Sequence, residues 1–346
     1  MAIRVLLVED SPVALKVLTK ILQHSPQIEL VGTASSGVEA LELIPQVQPQ
    51  VVCTDLHMPK MDGLELTSEI MDRFPLPILV ISVSVQAEDT KQVFQLLDAG
   101  AVDIFPKPIA GLRSDNLELN RELVNKIRIL SGVRVFRKKR VRAESYLSNS
   151  QLYTTKSRFY KPRIVAVGAS TGGPQALQNL FRQLPSHFPP LICVQHISTG
   201  FLEGLLGWLQ QDCILSLEIA QAQQKPEPGH IYFPPENYHL ALDKYGKFVY
   251  LDSPPVNGHR PAINVTFDSV AQYYGKYAVG ILLTGMGQDG ALGLKSIRQA
   301  GGFTIAQDES TCVVFGMPKV AIELDAAHQV LPIQAIAPNL INYVHG

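Results

Sequence analysis

The sequence predicts an α/β fold with two domains, each built around a mostly parallel sheet, joined by a linker. Three observations support this prediction. The chain has 346 residues, which is about the length of two average domains. Short apolar runs suited to buried strands alternate with amphipathic stretches suited to helices, an order that is typical of parallel sheets. A strongly basic segment also separates two acidic blocks, as expected of a linker.

The net charge of −1 conceals this division into blocks. Residues 1–120 carry 8 Lys and Arg against 16 Asp and Glu, residues 121–163 carry 13 against 2, and residues 164–346 carry 9 against 13. The basic block lacks sustained helical periodicity, so we interpret it as a solvated tether. A contact with an acidic partner or a membrane surface remains an alternative. Neither a recognition helix nor an aromatic platform accompanies the charge, so we expect no nucleic-acid binding.

Composition excludes several classes of protein. With 46% hydrophobic and 18% charged residues, the chain is not globally disordered. No apolar run approaches the roughly 20 residues of a membrane helix, and Glu9 and Asp10 interrupt the first apolar run, which argues against a signal peptide. We therefore expect a cytoplasmic protein that does not insert into membranes. The cysteines are scattered without a CxxC pair, which argues against disulfides or a zinc site: Cys53, Cys193, Cys213 and Cys312.

The first domain begins with a buried strand over residues 3–8. Ser11 then offers a helix N-cap and Pro12 a first-turn residue. Apolar side chains at i and i+4 continue as an amphipathic helix. Further strands are predicted over residues 51–54, 78–83 and 102–105, with helical stretches between them.

Chemically active side chains follow these strands at their carboxyl ends. Glu9 and Asp10 follow the first strand, Asp55 the third, Ser82 closes the fourth, and Lys107 follows the fifth. The carboxyl ends of parallel strands share one edge, so these groups should converge. Converging carboxylates repel one another unless a cation such as Mg²⁺ lies between them. Any one of them alone could be a solvated loop residue, but five at successive strand ends indicate a phosphoryl-transfer site with Asp55 as the nucleophile.

The segments VLLVEDSP, TDLHMPKMDGLEL, ISVS and FPKP resemble the receiver domain of two-component response regulators, over about residues 3–120. The resemblance implies a flavodoxin-like (βα)5 domain in which Asp55 accepts phosphate from a histidine kinase. It further implies that Ser82 and Lys107 read the phosphorylated state. The implied Mg²⁺ ligands are Glu9, Asp10 and Asp55.

The second domain begins with a predicted strand over residues 163–169, followed by a tight turn. Residues 168–172 read GASTG and fit the pattern G-x-S-x-G, in which small neighbours let a substrate approach Ser170. A helix follows, and its N-terminus suits a developing oxyanion. The alternative is a dinucleotide-binding glycine turn, but the next strand ends in His196 where an acidic ribose ligand would be expected.

A histidine and an aspartate follow two other predicted strands of this domain. His196 comes after residues 191–195 and Asp289 after residues 278–284. Alone, His196 could be a buried structural donor and Asp289 an ordinary helix cap. With Ser170 they form the set that nucleophilic acyl transfer requires. The order Ser–His–Asp differs from the Ser–Asp–His order of α/β-hydrolases, so we expect a different, doubly wound fold.

The segments VAVGASTGGPQAL, VQHISTGF, EPGHIYFPPENYHL, NGHRPAINVTFDSVA, LLTGMGQDGALGL and AQDESTCVVFGMP resemble the catalytic domain of the chemotaxis protein-glutamate methylesterase family, CheB. The resemblance implies that Ser170 is the nucleophile, His196 the general base and Asp289 its orienting partner. It also implies an oxyanion donor in the Met286 N–H, and a substrate cleft lined by His259 and Arg260, which could otherwise be a solvated loop pair. Asp308 and Glu309 are expected to be structural. The implied domains are residues 1–121, a linker over 122–159, and residues 160–346.

Together these resemblances imply a phosphorylation-activated serine hydrolase. It would demethylate glutamate γ-methyl esters, and deamidate certain glutamines, on the cytoplasmic helices of methyl-accepting chemoreceptors. Phosphorylation of Asp55 by a chemotaxis histidine kinase would relieve inhibition by the receiver domain, and ester hydrolysis itself would need no cofactor. Two alternatives are a non-catalytic adaptor with a degenerate esterase fold and a DNA-binding response regulator. The latter should carry a helix-turn-helix, which is not evident here.

Overall fold

The computed structural model describes residues 2–82, 87–108, 117–133, 135 and 160–345. Most of the predicted linker, residues 136–159, lies outside the described residues, and so does Val83 at the predicted end of a strand. In the first domain the strands are β1 (Ile3–Val8), β2 (Ile28–Ala34), β3 (Val51–Thr54), β4 (Ile78–Ser82) and β5 (Asp103–Pro106). The helices are α1 (Pro12–Gln23), α2 (Gly37–Val47), α3 (Gly63–Arg73), α4 (Ala87–Ala99) and α5 (Leu117–Leu130).

The first five strands form one sheet in the order β2-β1-β3-β4-β5. Every neighbouring pair is parallel, and helices connect successive strands, as predicted. The Ser11 side chain caps α1 by accepting a hydrogen bond from the Ala14 N–H, so the predicted start of this helix is confirmed. The sheet order brings the ends of β1, β3, β4 and β5 side by side.

Helix α5 differs from the predicted domain boundary. It continues to Leu130, and its apolar side chains Leu123, Ile127 and Leu130 are fully buried against the sheet. Residues 122–130, which the charge pattern assigned to the linker, are therefore part of the first domain. Of the two basic residues in this segment, Arg128 is exposed and Lys126 is largely buried against Asp103.

The second domain has nine strands and six α-helices within residues 160–345. The strands are β6 (Ile164–Ala169), β7 (Leu191–Gln195), β8 (Ser216–Ile219), β9 (His230–Phe233), β10 (His239–Leu242), β11 (Phe248–Leu251), β12 (Ala278–Leu282), β13 (Phe303–Gln307) and β14 (Gln329–Leu331). The helices are α6 (Gly173–Phe181), α7 (Leu202–Leu209), α8 (Ile263–Tyr274), α9 (Ala291–Gln299), α10 (Met317–Glu323) and α11 (Ile333–His345).

Seven of these strands form a second parallel sheet in the order β14-β13-β12-β6-β7-β9-β8. The chain starts in the middle with β6, adds β7 on one side and later returns to add β12 on the other. The strand order therefore reverses at β6, and in such sheets ligands bind beyond the carboxyl ends of the strands at this reversal point. Strands β10 and β11 form a separate antiparallel hairpin.

The three central strands β6, β7 and β12 are buried along their whole length. Helices cover both faces of the sheet, so these strands read as nearly continuous apolar runs. Each fully buried Val, Leu or Ile contributes about 1.5–3 kcal/mol to folding, which makes these strands a rigid base for the loops that follow them. No helix within the described ranges is long and apolar enough to cross a membrane.

The two domains pack directly against each other. Helix α4 of the first domain lies on α7 of the second, where the Phe94 and Trp208 rings stack with centroids 5.8 Å apart. The Trp208 Nε1–H also donates to Asp98 Oδ2 at 2.9 Å. One continuous apolar cluster includes buried residues of both domains, so this contact is a packed interface.

Candidate active site

Ser170 lies in the turn between β6 and α6, at the reversal point of the second sheet. Its N–H donates to the Thr284 carbonyl at 3.0 Å, and its own carbonyl accepts from the Gly173 N–H at 2.7 Å. Gly172 adopts φ 74°, a conformation that favours glycine. A Cβ at Gly173 would lie 2.0 Å from Gln195 Oε1. The glycines after Ser170 are thus required by the turn and by close packing.

His196 and Asp289 meet at the same edge of the sheet. His196 Nε2 and Asp289 Oδ2 are 2.9 Å apart, and both side chains are buried. The carboxylate also accepts backbone N–H bonds from Ile263 at 2.7 Å and Asn264 at 3.1 Å, at the start of α8. Asp289 therefore occupies the positive N-terminal end of that helix.

This environment keeps Asp289 ionised. Burial alone would raise the pKa of its carboxyl group, but the hydrogen bond with His196 and the two backbone N–H groups outweigh burial and lower the pKa below its usual value. An ionised carboxylate can only accept a hydrogen bond. The neutral imidazole of His196 must then carry its proton on Nε2, which leaves Nδ1 as an acceptor.

The Nδ1 atom of His196 is the nitrogen available to Ser170. It is buried and has no hydrogen-bond partner within the described residues, so a Ser170–His196 hydrogen bond is not formed in this structure. Serine and base often draw together only when substrate binds. A buried acceptor without a partner is costly, and a serine proton would satisfy it.

Gln195, which is not among the residues predicted from the sequence, holds the nucleophile and the base together. Its Nε2 atom donates to the Ser170 carbonyl at 2.9 Å and to the His196 carbonyl at 2.8 Å. A polar residue closing an otherwise apolar strand was a signal that could have identified it. The backbones of Ser170 and His196 are therefore fixed relative to each other by one buried side chain.

Met286, the predicted oxyanion donor, follows a residue that lies against Ser170. A Cβ on the preceding residue, Gly285, would lie 2.6 Å from Ser170 Cβ, so the two turns are in close contact. The Met286 N–H makes no hydrogen bond in the part of the chain that the structure describes. It is free to donate to an oxygen that becomes negatively charged near Ser170.

The two predicted cleft residues differ in position. His259 lies flat on His196, with ring centroids 3.7 Å apart, and lines a cleft of about 480 Å³ beside Asp289. Arg260 instead extends to Asp252, with Nη1 and Oδ1 2.8 Å apart. The structure therefore differs from the expectation that Arg260 lines the cleft. The lining residues are Asn257, His259, Gly287, Gln288, Asp289 and Val320.

Asp308 and Glu309 lie outside this site. The Asp308 side chain accepts hydrogen bonds from the Thr311 N–H and hydroxyl and caps the short 3₁₀ helix Glu309–Thr311. The role of Asp308 is therefore structural, as expected.

A second site lies at the carboxyl edge of the first sheet. Each of Glu9, Asp10 and Asp55 places a carboxylate oxygen within 4.8 Å of the others. The Lys107 ammonium contacts both Glu9 and Asp55, and the Lys107 N–H donates to the carbonyl of Ser82 at 2.8 Å. The structure thus brings all five predicted residues together.

Charge at this second site is only partly balanced. Burial raises the pKa of the Glu9 carboxyl despite its bond to Lys107. Burial would lower the pKa of the Lys107 ammonium, but its bonds to Asp55 and Glu9 raise it above the usual value. One ammonium faces three carboxylates, of which Asp10 is exposed. Such a set of hard oxygen donors fits a divalent cation such as Mg²⁺.

The first domain also contacts the residue next to the nucleophile. Thr171 Oγ1 donates to Asp103 Oδ2 at 3.1 Å, and Lys126 Nζ donates to the same oxygen at 2.6 Å. Nearby, Gln175 Nε2 donates to the Ala101 carbonyl at 2.9 Å. No local sequence signal identifies Asp103, Lys126 or Thr171 as interface residues.

Comparison with known proteins matches each half of the chain to a known family. Residues 165–340 match the CheB methylesterase family, and residues 5–114 match the response regulator receiver domain. A protein-glutamate methylesterase/protein-glutamine glutaminase of Nitrosospira multiformis is 41% identical over 99% of this chain and 97% of its own length. A protein of the same name from Syntrophus aciditrophicus is 38% identical over 98% of this chain and 97% of its own.

A solved structure agrees with the second domain. The crystal structure of the Thermotoga maritima CheB methylesterase catalytic domain superposes with a TM-score of 0.51 and 38% sequence identity. It covers 53% of this chain and 99% of the Thermotoga chain. The match thus corresponds to one complete domain.

Proposed function

The chain belongs to the CheB methylesterase family, and from this premise we propose that it is a protein-glutamate methylesterase and glutamine deamidase controlled by phosphorylation. The proposed substrates are glutamate γ-methyl esters and certain glutamines on the cytoplasmic helices of methyl-accepting chemoreceptors. The observation that carries the proposal is the His196–Asp289 pair beside Ser170 at the reversal point of the sheet. A non-catalytic adaptor would not require a hydrogen-bonded histidine and aspartate at this position.

In the proposed reaction Ser170 Oγ attacks the ester carbonyl while its proton moves to His196 Nδ1. The Met286 N–H donates to the oxygen that becomes negative. Methanol then leaves with the proton from His196, and Ser170 carries the acyl group. Water, deprotonated by His196, releases glutamate and the free serine. Deamidation follows the same path with ammonia as the leaving group, and neither reaction requires a cofactor.

In the receiver domain we propose that Asp55 accepts a phosphoryl group from a chemotaxis histidine kinase. The carboxylates of Glu9, Asp10 and Asp55 would hold Mg²⁺, which when bound offsets the negative charge of the phosphoryl group. In this proposal Lys107, which contacts Asp55, binds the phosphoryl oxygens by charge, and Ser82 donates a hydrogen bond to them.

We expect Asp55→Asn to abolish activation. Asparagine cannot form the acyl phosphate, so a small phosphodonor such as acetyl phosphate should no longer raise methanol release from methylated receptor membranes. Activity without phosphodonor should remain measurable because Ser170, His196 and Asp289 are untouched. The control is Asp72→Asn, an exposed carboxylate on α3, which should respond as wild type does. A normal response in Asp55→Asn would contradict the assignment.

The packed interface suggests how phosphate controls the esterase. With Asp103 bonded to Thr171, the receiver domain lies against the turn that carries the nucleophile. We propose that phosphorylation favours a domain arrangement in which this contact is broken, which is a population shift.

Asp103→Ala is expected to raise the activity measured without phosphodonor by about tenfold or more, because a hydrogen bond to a charged group contributes about 1.5–3 kcal/mol and each 1.4 kcal/mol is a factor of ten. Activity with saturating phosphodonor should change little. Initial rates of methanol release measure both quantities, and Asp72→Ala is the matched control on an exposed face. An unchanged basal rate in Asp103→Ala would show that this contact does not restrain the enzyme.

A further inference from the structure

The rings of His196 and His259 are almost parallel. Their planes differ by 11° and their centroids are 3.7 Å apart. The bond to Asp289 fixes only one end of the His196 ring, so by itself it would allow the imidazole to tilt about that bond. A flat neighbour in van der Waals contact restricts this tilt.

His259 is itself held firmly on one side by a tight turn. Val256 and His259 exchange both backbone hydrogen bonds, each 3.0 Å long. The two residues between them, Asn257 and Gly258, have φ values of 53° and 82°. Positive φ at both central residues is the geometry of a type I′ turn, for which Asn-Gly is strongly preferred. The local sequence therefore sets the direction in which His259 leaves the turn.

A buried histidine clamps both ends of the same loop. His239 is fully buried, and its Nδ1 atom accepts the Ala262 N–H at 3.1 Å. Its Nε2–H donates to the Pro254 carbonyl at 3.2 Å. The loop that carries His259 is thus anchored before and after the turn, so the stacked ring is held in place by the fold.

The electrostatic surroundings keep His259 uncharged. Burial, followed by the neighbouring His196, lowers the pKa of His259 to about 4. The face of an uncharged aromatic ring attracts a cation. His196 becomes such a cation when it takes the serine proton, whereas a second positive charge at this distance would oppose that step.

We propose that His259 is a positioning residue for the general base: its uncharged ring holds the His196 plane between Asp289 and Ser170 and stabilises the imidazolium that forms during acyl transfer. The proposal rests on the serine mechanism described above. It assigns His259 a role in the chemical step rather than in binding the receptor, and this difference can be measured.

The test compares His259→Ala, His259→Phe and His259→Lys in the full chain with phosphodonor present. We expect the alanine variant to have a kcat about 10- to 100-fold lower than wild type and a KM within about twofold of it. Loss of an interaction that is made only in the transition state lowers kcat and leaves KM unchanged. Phenylalanine keeps a flat ring and should remain within about fivefold of wild type. Lysine adds a cation and should be slower than alanine.

A second readout is the rate at which phenylmethanesulfonyl fluoride modifies Ser170. This small reagent does not use the receptor-binding surface, so its rate should follow the same order as kcat. This assay also separates the role of His259 from the proposed substrate. The ranking of the variants by modification rate can be measured even if receptor esters prove not to be the substrate. His230→Ala is the control: that imidazole also stacks on an aromatic ring, Tyr232, but lies away from the site, and both rates should be unchanged.

Two results would overturn the proposal. One is a raised KM with normal kcat and normal sulfonyl fluoride modification in His259→Ala, which would make His259 a substrate contact. The other is a phenylalanine variant as slow as the lysine variant in both assays. If the His259→Ala variant does not fold, the comparison of His259→Phe with His259→Lys is sufficient to test the proposal.

Discussion

Replacing Ser170 by alanine is expected to lower methanol release from methylated receptor membranes by about 10⁴-fold or more, as removal of a serine nucleophile does in other hydrolases. The variant keeps the His196–Asp289 pair and the Met286 N–H, so binding and oxyanion stabilisation persist. What it loses is the hydroxyl oxygen of the residue whose Cβ lies against Gly285. No acyl-enzyme can then form.

The measurement needs controls for folding and for regulation. Ser186→Ala alters an exposed serine in the loop before β7, at the opposite end of that strand from His196, and should leave the rate unchanged. Both variants should be measured with phosphodonor, so that inhibition by the receiver domain does not obscure a difference. Activity above about 1% of wild type in Ser170→Ala would contradict nucleophilic catalysis by this residue.

Asp289→Asn is expected to lower kcat by about 10³- to 10⁴-fold, which is typical of a triad whose imidazole adopts the wrong tautomer. The reason lies in the backbone N–H groups around the carboxylate. Oδ1 accepts from Asn264 and Gly290, and Oδ2 accepts from Ile263 and faces His196. With its oxygen in the Oδ1 position an asparagine loses one backbone hydrogen bond, that from Ile263, instead of the two from Asn264 and Gly290. This orientation turns its NH₂ group toward His196.

His196 Nε2 must then accept a hydrogen bond, and its proton moves to Nδ1. That nitrogen can no longer take the proton of Ser170. Nitrogen NMR of the imidazole should therefore show the Nδ1–H tautomer in Asp289→Asn and the Nε2–H tautomer in wild type. Asp268→Asn, on α8 but away from the pair, is the control. Normal activity, or an unchanged tautomer, would show that Asp289 does not orient the base.

The strand ends could be predicted from the sequence because their signals are local. A run of apolar residues that stops at polar or turn-forming residues identifies a buried strand and the short segment that follows it. Ser170, His196 and Asp289 were found in this way, as were Asp55 and Lys107. Parallel sheets then place such residues on one edge whatever the loop lengths between them.

Other features had too little local signal to be predicted. The boundary after α5 was misplaced because the dense basic run over residues 134–142 dominates the charge count of the block that begins at residue 121. The buried face of α5 is only three apolar residues over two turns: Leu123, Ile127 and Leu130. Gln195 was overlooked because nothing near it in sequence shows that it reaches two carbonyls at once. The stacking of His259 on His196 was likewise not foreseen.

The amino-acid sequence by itself determined the two α/β domains, the residues that close each central strand, and hence which side chains share an edge. Only the tertiary structure decided that Asp289 binds Nε2 of His196, that His259 covers that ring, and that Asp103 contacts Thr171. These pairs lie far apart along the chain, 93 positions for His196 and Asp289 and 68 for Asp103 and Thr171. Their geometry depends on how whole helices and loops pack, which short-range patterns do not encode.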